Sequence, residues 1–423
     1  MKSKANNSLH LICRFFISHT SKYVFRGLFI YFIFKIRKLF RTFELATIHT
    51  TMKQIKIYFL AFVLLSSLSC AQENTPAIET PETVDYTHTT IVEGIDIPWG
   101  MDFINENELL VTELSGKLYR VTKGLKTVIT GLPEIYLRGQ GGLLDVALHP
   151  DFKNNNLIYL TLSATLDGDP GGNTALYKAK LVGNTLKNLN LLYKATPNTK
   201  KGQHFGSRIA FDGKGHLYFS VGDRGNRDEN PQDISRDGGK IYRLNLDGSI
   251  PEDNPFASSI NAKQAIFSYG HRNPQGMTVH PTTSAIWVNE HGPQGGDEIN
   301  KVESGKNFGW PIITYGINYS GTTITDKTSD PTMEQPFYYW LPSIAPSGMA
   351  FSTSDVYKGW KNNLFVGSLK FEYLERLVIE GNKVVKREKI LDKIGRVRNV
   401  KQGPDGYLYI GVEGKGIIKI MPL

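Results

Sequence analysis

Cysteine is almost absent from this chain of 423 residues. There are only two, Cys13 and Cys70, and both lie in the first 70 residues. Residues 71–423 therefore hold neither a disulfide nor a thiolate metal site. The same stretch lacks the His/Cys spacing of a zinc site, a P-loop and a Gly-x-Ser-x-Gly elbow. These absences exclude zinc-thiolate, P-loop nucleotide and α/β-hydrolase chemistry.

Excess charge of one sign is also missing from most of the chain. The formal net charge is +9, with 49 Lys and Arg against 40 Asp and Glu. Residues 1–70 contain eleven of the basic residues and one acid, which leaves 38 basic and 39 acidic residues after position 70, a net charge of −1. That main part of the chain has no electrostatic reason to bind nucleic acid.

Sustained helical periodicity is missing as well, and short alternating runs separated by Gly, Pro, Asn and Asp turns take its place. Strand-like runs recur in six pairs, often after a hairpin signal such as Asp212-Gly213. The pairs begin at Glu108 and Gly116, Asn156 and Thr174, Gly215 and Gly239, Ser284 and Asp297, Asn363 and Tyr373, and Gly406 and Gly416. Six such units over 89–423 predict an all-β, six-bladed β-propeller of four-stranded antiparallel sheets. A double β-sandwich is the alternative.

The first 88 residues have a different composition. Residues 52–70 carry a short basic segment, an apolar run and small residues before Cys70, which is typical of a lipoprotein-type signal peptide. Plain secretion is the alternative. Residues 1–51 are interpreted as a non-native upstream extension, with a membrane anchor as the competing hypothesis. Residues 71–88 are rich in Pro, Thr and Glu and predict a flexible tether.

The stretch 268–311 combines polar side chains with prolines and glycines, which favours a rigid ligand platform. Arg272 and Asn273 offer hydrogen-bond donors there. Asp297 and Glu298 follow a glycine-rich loop, and carboxylate and carbonyl oxygens suit a hard cation such as Ca²⁺. A solvated acidic loop explains the same residues equally simply.

Other polar residues lie at predicted strand ends, and each has a plain structural alternative. His204 sits in a glycine-flanked turn, where a neutral imidazole can accept a proton or can simply cap the turn. Gln140 lies in a glycine-rich loop that is either a ligand contact or a tight turn. Asp223 and Arg224 form either a functional pair or an internal salt bridge.

Arg396 and Arg398 are two residues apart, so on a strand both point to one face. Facing a central channel, these arginines need anions such as ligand carboxylates, whereas a surface pair needs no partner. Lys370 is also predicted to lie at a strand mouth.

The motifs, in the order in which they occur along the chain, resemble those of the soluble glucose/sorbosone dehydrogenase family, and most closely those of its aldose sugar dehydrogenase branch. The matching segments run from Ile97-Pro-Trp-Gly to the C-terminus. They include Gln140-Gly-Gly-Leu-Leu-Asp, His204-Phe-Gly-Ser-Arg, Gly270-His-Arg-Asn-Pro-Gln-Gly, Glu290-His-Gly-Pro, Asn307-Phe-Gly-Trp-Pro and Pro342-Ser-Ile-Ala-Pro-Ser-Gly. The resemblance implies a six-bladed propeller that binds pyrroloquinoline quinone (PQQ) and Ca²⁺ and oxidises sugars at C1 to lactones.

By position, the resemblance also implies residue roles. His204 matches the catalytic base, and Arg272 matches the arginine beside the quinone carbonyl. The implied PQQ contacts are Gln140, Arg224, Asn273, Lys370, Arg396 and Arg398. The carbonyls of Gly292 and Pro293 match ligands of the Ca²⁺ at the cofactor, and Glu298 with the Phe308 carbonyl matches a second, structural Ca²⁺ site.

The sequence departs from the glucose-oxidising branch at Gln203, where that branch has an aspartate that orients the histidine. Long loops that this branch uses for dimerisation are also missing, so a monomer is expected. The alternatives are a same-fold dehydrogenase of another polyol or a sorbosone-like substrate, a non-catalytic carbohydrate- or protein-binding propeller, and a Ca²⁺-dependent lactonase. The leading hypothesis is an exported, lipid-anchored enzyme, periplasmic or at the cell surface, that passes electrons to a quinone or a small redox carrier.

Overall fold

The chain folds into six four-stranded antiparallel sheets, in a computed structural model that describes residues 85–165 and 170–423. Successive sheets pack side by side, and the first strand of each sheet lies next to the first strand of its neighbours. The predicted six-bladed β-propeller is confirmed, and the alternative of a double sandwich is wrong. Among the described residues the one helix is α1, Phe152–Asn155, a single turn in blade 2.

The strands are numbered in chain order, and each blade is defined by its four strands. Blade 1 contains β2 (Pro98–Asn105), β3 (Glu108–Glu113), β4 (Lys117–Thr122) and β5 (Leu125–Ile129). Blade 2 contains β6 (Leu143–Leu148), β7 (Leu157–Ala164), β8 (Asn173–Val182) and β9 (Thr185–Lys194). Blade 3 contains β10 (Ile209–Phe211), β11 (His216–Val221), β12 (Lys240–Asn245) and β13 (Ile266–Tyr269).

The second half of the ring repeats this order. Blade 4 contains β14 (Pro274–Val279), β15 (Ile286–Glu290), β16 (Asp297–Lys301) and β17 (Tyr338–Trp340). Blade 5 contains β18 (Pro346–Phe351), β19 (Leu364–Ser368), β20 (Leu374–Glu380) and β21 (Lys383–Ile390). Blade 6 contains β22 (Val397–Gln402), β23 (Leu408–Val412), β24 (Gly416–Pro422) and, from the other end of the chain, β1 (Tyr86–Val92).

The six strand pairs predicted from the sequence are the second and third strands of the six blades. These strands are buried along nearly their whole length between neighbouring blades, which accounts for their apolar and aromatic runs. The outermost strands are more exposed; β21 alternates exposed and half-buried residues along almost its whole length. Three innermost strands, β2, β14 and β18, contain both proline and glycine, and β10 has only three residues, so the sequence signal of these strands is weaker.

Pairing of β1 with β24 closes the ring. The register runs from Tyr86 opposite Pro422 to Thr90 opposite Ile418. The propeller therefore begins at Tyr86, slightly before the expected domain start at residue 89. The predicted extension and signal peptide, and most of the predicted tether, lie outside the described residues. None of the helices within the described part of the chain has the length and apolarity needed to cross a membrane.

Six apolar clusters fill the spaces between blades, one at each interface. The cluster between blades 2 and 3 joins Tyr159 and Leu176 to Phe219 and Tyr242, and the rings of Phe219 and Tyr242 stack with centroids 4.8 Å apart. Burying one face of a sheet against the next blade stabilises the fold by about 25 cal/mol for each Å² of apolar surface removed from water. Since every blade has two neighbours, the core is distributed around the ring.

A buried ion pair joins the blades at the axis. Arg208, just before β10, places Nη1 3.0 Å from Oδ1 of Asp145 in blade 2. The same guanidinium donates to the carbonyls of Trp99 in blade 1 and Gln275 in blade 4. Both side chains are almost fully buried. One side chain of blade 3 thus fixes three other blades.

Replacement of Arg208 by Ala is expected to cost about 3–5 kcal/mol of unfolding free energy, because it leaves the Asp145 carboxylate buried and unpaired. Urea unfolding followed by fluorescence measures this change. Lys361→Ala is the control, since Lys361 pairs with Asp355 at the surface and exposed pairs contribute little. An unchanged urea midpoint for Arg208→Ala would show that the axial pair is not stabilising.

Candidate active site

Antiparallel pairing places the predicted site residues at one face of the ring. In each blade the start of the innermost strand lies beside the end of the second strand, as in Ile209 opposite Phe219. We call this end the site face. Gln140, His204, Arg272, Asn273 and Arg396 directly precede or enter innermost strands, whereas Arg224, Gly292, Pro293 and Lys370 follow second strands.

His204 is bound to a carboxylate that the sequence did not assign to it. Its Nδ1 lies 2.6 Å from Oδ1 of Asp223, a residue that is 1% exposed. Oδ2 of Asp223 accepts from Trp310 Nε1 at 2.9 Å, and Oδ1 also accepts from Gly225 N at 2.7 Å. A carboxylate that accepts the Nδ1 proton leaves Nε2 of a neutral ring with a lone pair. This arrangement suits a general base.

The backbone of His204 is held in a left-handed conformation, with φ of +56°. Its N–H donates to the side-chain Oε1 of Gln140 at 2.8 Å, and Gln140 N donates to the Gly202 carbonyl at 2.7 Å. A non-glycine residue keeps such a conformation only where its surroundings enforce it. Gln140 therefore supports the position of His204, in addition to any ligand contact.

The electrostatic surroundings keep the imidazole neutral. Burial lowers the pKa of His204 below its ordinary value of 6.5, and the positive charges of Arg272 and Arg224 act in the same direction. The Asp223 carboxylate opposes this shift without reversing it. The ring is thus poised to accept a proton near neutral pH.

Arg272 lies between the histidine and the acidic loop. Its backbone N donates to Oε2 of Glu290 at 2.6 Å and its Nη1 to the carbonyl of His291 at 3.0 Å. The backbone N–H of Asp223 donates to the Arg272 carbonyl at 2.7 Å. This hydrogen bond joins Arg272 directly to the residue whose carboxylate binds His204. The guanidinium lies 5.4 Å from the Trp310 ring centroid. A fixed cation beside a base can stabilise negative charge that develops in a substrate or cofactor.

Asn273 has a buried amide nitrogen without a protein partner. Its Oδ1 accepts from Gly206 N at 3.3 Å and from Gln275 Nε2 at 3.2 Å. A buried donor left unsatisfied is costly, and an acceptor on a bound ligand would satisfy it.

Arg224 belongs to the wall of the site. Its guanidinium donates to the carbonyls of Gln203, Lys201 and Gly172, and it lies 3.4 Å from the Phe205 ring centroid. The side chain is 1% exposed. The internal salt bridge considered from the sequence does not form, since Asp223 binds other groups. A cofactor contact for Arg224 stays a prediction: its Nη1 and Nη2 donate to protein carbonyls, and its Nε is buried without a partner.

Lys370, Arg396 and Arg398 form a cationic cluster between blades 5 and 6. Arg396 Nη1 donates to the Leu369 carbonyl at 3.1 Å, which brings it next to Lys370. Arg396 and Arg398 share the carboxylate of Glu413: Arg396 Nε lies 2.6 Å from Oε2, and Arg398 binds Oε1. Both arginines contact the same carboxylate, and this internal anion balances part of their charge.

The acidic loop after β15 is tightly folded around its carbonyls. Gly292 N donates to Oδ1 of Asp297 at 2.8 Å, and Ala345 N donates to Oδ2 at 2.8 Å. A side chain at Gly292 would lie 2.2 Å from the Gly296 carbonyl oxygen, so only glycine fits. Burial raises the pKa of Asp297 to about 6. Asp297 therefore shapes the loop whose carbonyls were predicted to bind Ca²⁺.

A small cavity of about 10 Å³ lies beside this loop, lined in part by Glu290, Glu298 and Phe308. Asn300 Nδ2 donates to both carboxylates, at 2.8 Å to Glu290 and 3.1 Å to Glu298, while Asn300 Oδ1 is buried without a partner. Burial, and then the Glu290 carboxylate, raises the pKa of Glu298 to about 8. Two close carboxylates, an orphan amide oxygen and a space of one-atom size fit a hard cation.

No group of three or more His, Cys, Asp or Glu side chains in the described stretches is placed to hold a metal ion. The predicted sites rely mainly on backbone carbonyls, so the calcium assignments stay predictions. Phe308 reaches this cavity because the long β16–β17 connection returns to the site face, where Phe308 N donates to Tyr269 O and Trp310 N to Gly270 O, both at 2.8 Å.

Sequence reasoning missed four partners: Asp223, Trp310, Glu290 and Glu413. Gln203 removes one expected orienting partner of His204, and Asp223, in the loop after β11 of blade 3, supplies a carboxylate instead. Each missed acid lies at or directly after the end of a second strand, on the site face. The propeller prediction could therefore have identified these acids by their shared position at the ends of second strands.

These features define a class of protein: a propeller with a carboxylate-oriented histidine and a cluster of cations at one mouth. Known proteins agree with this description. A profile of the glucose/sorbosone dehydrogenase family matches residues 95–419. Aldose sugar dehydrogenase YliI of Escherichia coli (strain K12) is 41% identical over 352 residues, which cover 81% of this chain and 94% of that protein.

Two solved structures are similar over most of the chain. The apo form of the soluble aldose sugar dehydrogenase from Escherichia coli has a TM-score of 0.77 and 39% identity, covering 80% of this chain and all of that one. The PQQ-bound form of the aldose sugar dehydrogenase from Streptomyces coelicolor has a TM-score of 0.65 and 25% identity, covering 81% and 99%. The chain belongs to the glucose/sorbosone dehydrogenase family and is an oxidoreductase of the sugar dehydrogenase type.

Replacement of Asp223 by Asn is expected to lower kcat by about 10²-fold or more, because the imidazole loses the carboxylate that fixes its tautomer. Steady-state rates of sugar-dependent dye reduction measure this loss. The acid limb of the pH–rate profile should also move to lower pH, since Asp223 raises the His204 pKa. Asp228→Asn, at a highly exposed position in the same loop, is the control; equal rates for both variants would contradict the role of Asp223.

Calcium is expected to raise the thermal midpoint of the protein without PQQ, because a ligand that binds only the folded state stabilises it by about 2.7 kcal/mol at a hundredfold excess over Kd. Glu298→Gln should reduce this rise, since it removes one charge of the carboxylate pair. Differential scanning fluorimetry with calcium and with chelator measures the rise in thermal midpoint for the unchanged protein and for Glu298→Gln. Glu303→Gln, at an exposed position, should keep the full rise, and an equal rise in all three proteins would exclude the Glu298 site.

Proposed function

We propose that the protein is a PQQ-dependent aldose dehydrogenase that oxidises the C1 hydroxyl group of aldoses to lactones. The observation that carries this proposal is the His204–Asp223 pair on the site face, close enough to Arg272 for its positive charge to act on the imidazole. The family and the fold are those of sugar dehydrogenases.

His204 is the base in this proposal. Its Nε2 takes the proton from the C1 hydroxyl of a bound aldose while the hydride leaves C1, so that the C1–O bond becomes a carbonyl. Asp223 holds Nδ1 and stabilises the imidazolium that forms. Arg272 binds the oxygen that gains negative charge. When bound, PQQ supplies the two-electron acceptor for the hydride.

The chain's own groups fit such a cofactor. PQQ is a planar tricarboxylate, and Lys370, Arg396 and Arg398 provide cationic donors on one side of the site face. Glu413 offsets only part of that charge. Asn273 Nδ2, buried without a protein partner, would donate to a cofactor oxygen, and Gln140 stands at the opposite wall.

Calcium fits the acidic loop because carbonyl and carboxylate oxygens are the ligands that this ion prefers. The carbonyls of Gly292 and Pro293 would hold the ion nearest the cofactor, where it would help to offset negative charge on the quinone oxygens. Glu298 and the Phe308 carbonyl would hold a second, structural ion, and the position of Glu290 in the same cavity makes it an additional candidate ligand.

The direct test is a titration of the protein from residue 71 onward with PQQ in the presence of calcium, with dye reduction followed for a panel of aldoses and sorbosone-like substrates. We expect saturable, PQQ-dependent turnover that falls by about 10²–10⁴-fold in His204→Ala. His88→Ala, exposed on β1, is the control. PQQ binding without turnover of any aldose would reject the substrate class, and absence of PQQ binding would favour the non-catalytic propeller.

The rate is expected to fall only at acidic pH. A base works when unprotonated, so kcat/KM is full above the folded pKa of His204 and falls as pH drops through it. Because burial lowers that pKa, the acid limb should lie below pH 6.5. A profile of kcat/KM against pH, with protein integrity checked at each point, measures it. An acid limb above pH 7 would identify a different titrating group.

Export with a lipid anchor at Cys70, a monomeric state, and a quinone or small redox carrier as electron acceptor complete the proposal. The lipid anchor is inferred from the basic segment, the apolar run and the small residues of 52–70, which lie outside the described part of the chain. Metabolic labelling with palmitate in wild type and Cys70→Ala would test the anchor, and loss of label in the variant alone would support it.

A further inference from the structure

The indole of Trp310 touches two groups of the candidate site and has no role in the chemistry described above. Trp310 is the fourth residue of the motif Asn307-Phe-Gly-Trp-Pro, in the long connection between β16 and β17. Its side chain is 6% exposed. An indole has one N–H donor and takes no proton from a substrate. Any contribution of Trp310 to the reaction must therefore come from how it positions other groups.

The N–H of the indole holds the carboxylate that binds the candidate base. Trp310 Nε1 donates to Oδ2 of Asp223 at 2.9 Å, while Oδ1 of Asp223 lies 2.6 Å from His204 Nδ1 and accepts from Gly225 N. Within residues 85–165 and 170–423, Trp310 is the one hydrogen-bond donor to Oδ2. The indole therefore fixes the rotation of the carboxylate, and through it the direction of the imidazole.

The ring of the same indole contacts the candidate cation. The central guanidinium carbon of Arg272 lies 5.4 Å from the ring centroid, within the range of a cation–π interaction. The indole is rigid and planar, so its N–H and its ring have a fixed separation. One side chain thus sets the position of the Asp223 carboxylate relative to the Arg272 guanidinium.

The backbone of Trp310 is itself held by other segments. Its N–H donates to the Gly270 carbonyl at 2.8 Å, and its carbonyl accepts from Gln232 Nε2 at 2.7 Å. The preceding Gly309 has φ of +86°, and a Cβ atom there would lie 2.2 Å from Cγ1 of Ile313. The tight turn before the indole therefore needs glycine, and two hydrogen bonds anchor the peptide that carries the ring.

We propose that Trp310 is a positioning residue for the base and for Arg272: its N–H fixes the Asp223 carboxylate that orients His204, and its ring holds the guanidinium. The inference rests on the proposed aldose dehydrogenase function. It gives the motif Asn307-Phe-Gly-Trp-Pro a role in orienting the base, in addition to the calcium ligand predicted at Phe308.

The variant Trp310→Phe keeps an aromatic ring and removes the N–H. A buried carboxylate that loses a donor holds its charge less dispersed and stabilises the imidazolium more strongly, so the pKa of His204 should rise. The acid limb of kcat/KM should therefore move to higher pH by about 0.5 to 1 unit, the opposite of the direction expected for Asp223→Asn. The variant retains the charged and titratable groups that act on His204, which are Asp223, Arg272, Arg224 and His291.

The kinetic test uses the PQQ-loaded enzyme, with kcat and KM for an aldose measured across the pH range. Trp310→Phe should lower kcat about ten-fold and change KM by less than about two-fold, together with the shift of the acid limb. Trp340→Phe is the matched control, because Trp340 Nε1 donates to the buried Glu375 carboxylate at 2.8 Å. Both variants should lower the thermal midpoint, but Trp340→Phe should keep kcat and the acid limb. An unchanged acid limb in Trp310→Phe, or equal shifts in both variants, would overturn the inference.

A measurement without turnover separates this inference from the function on which it rests. The chain has five tryptophans, and ¹⁵N labelling of tryptophan makes each indole N–H visible by NMR. The resonance that is lost in Trp310→Phe should shift with pH in the unchanged protein as His204 takes up its proton, whereas the Trp340 resonance should stay constant. A Trp310 resonance that does not titrate would overturn the inference. No turnover of any sugar by the PQQ-loaded protein would overturn the proposed function, while a titrating Trp310 resonance would still support the coupling to His204.

Discussion

Closure of the ring is the constraint on which the rest of the structure depends. Tyr86–Val92 pairs with Gly416–Pro422, so the two ends of the propeller complete one blade together. Each blade then has two neighbours against which to bury its faces, and exposed sheet edges are confined to the rim. Without this pairing the apolar faces at the junction of blades 6 and 1 would be open to water, and the loops on the site face would lose their common frame.

The axis and the site are built from one short segment. Arg208 crosses the centre of the ring to Asp145, and His204 lies only four residues before it. The strained backbone of His204 is therefore held between a buried ion pair on one side and Gln140 and Asp223 on the other. Such over-determination is what pre-organises a base without help from the ligand.

Charge is organised locally, although the main part of the chain is nearly neutral. Carboxylates contact three of the basic residues: Glu413 binds the guanidinium groups of Arg396 and Arg398, and Glu290 accepts from the backbone N–H of Arg272. Glu413 orients both guanidinium groups and limits the cost of their mutual repulsion. Lys370 forms no ion pair with a described residue, so the cluster keeps a positive balance on the side where an anionic cofactor is proposed.

The sequence by itself determined the strands, their number and the family. Alternation and turn residues are local properties, so runs such as Gly215–Val221 identify strands before any fold is known. The motifs around His204 and Arg272 identify the family for the same reason. Only the tertiary structure decided which groups meet: Asp223 reaches His204, Trp310 reaches Asp223, and Glu413 reaches both arginines. These contacts depend on blade packing and ring closure, which bring together residues that no local pattern links.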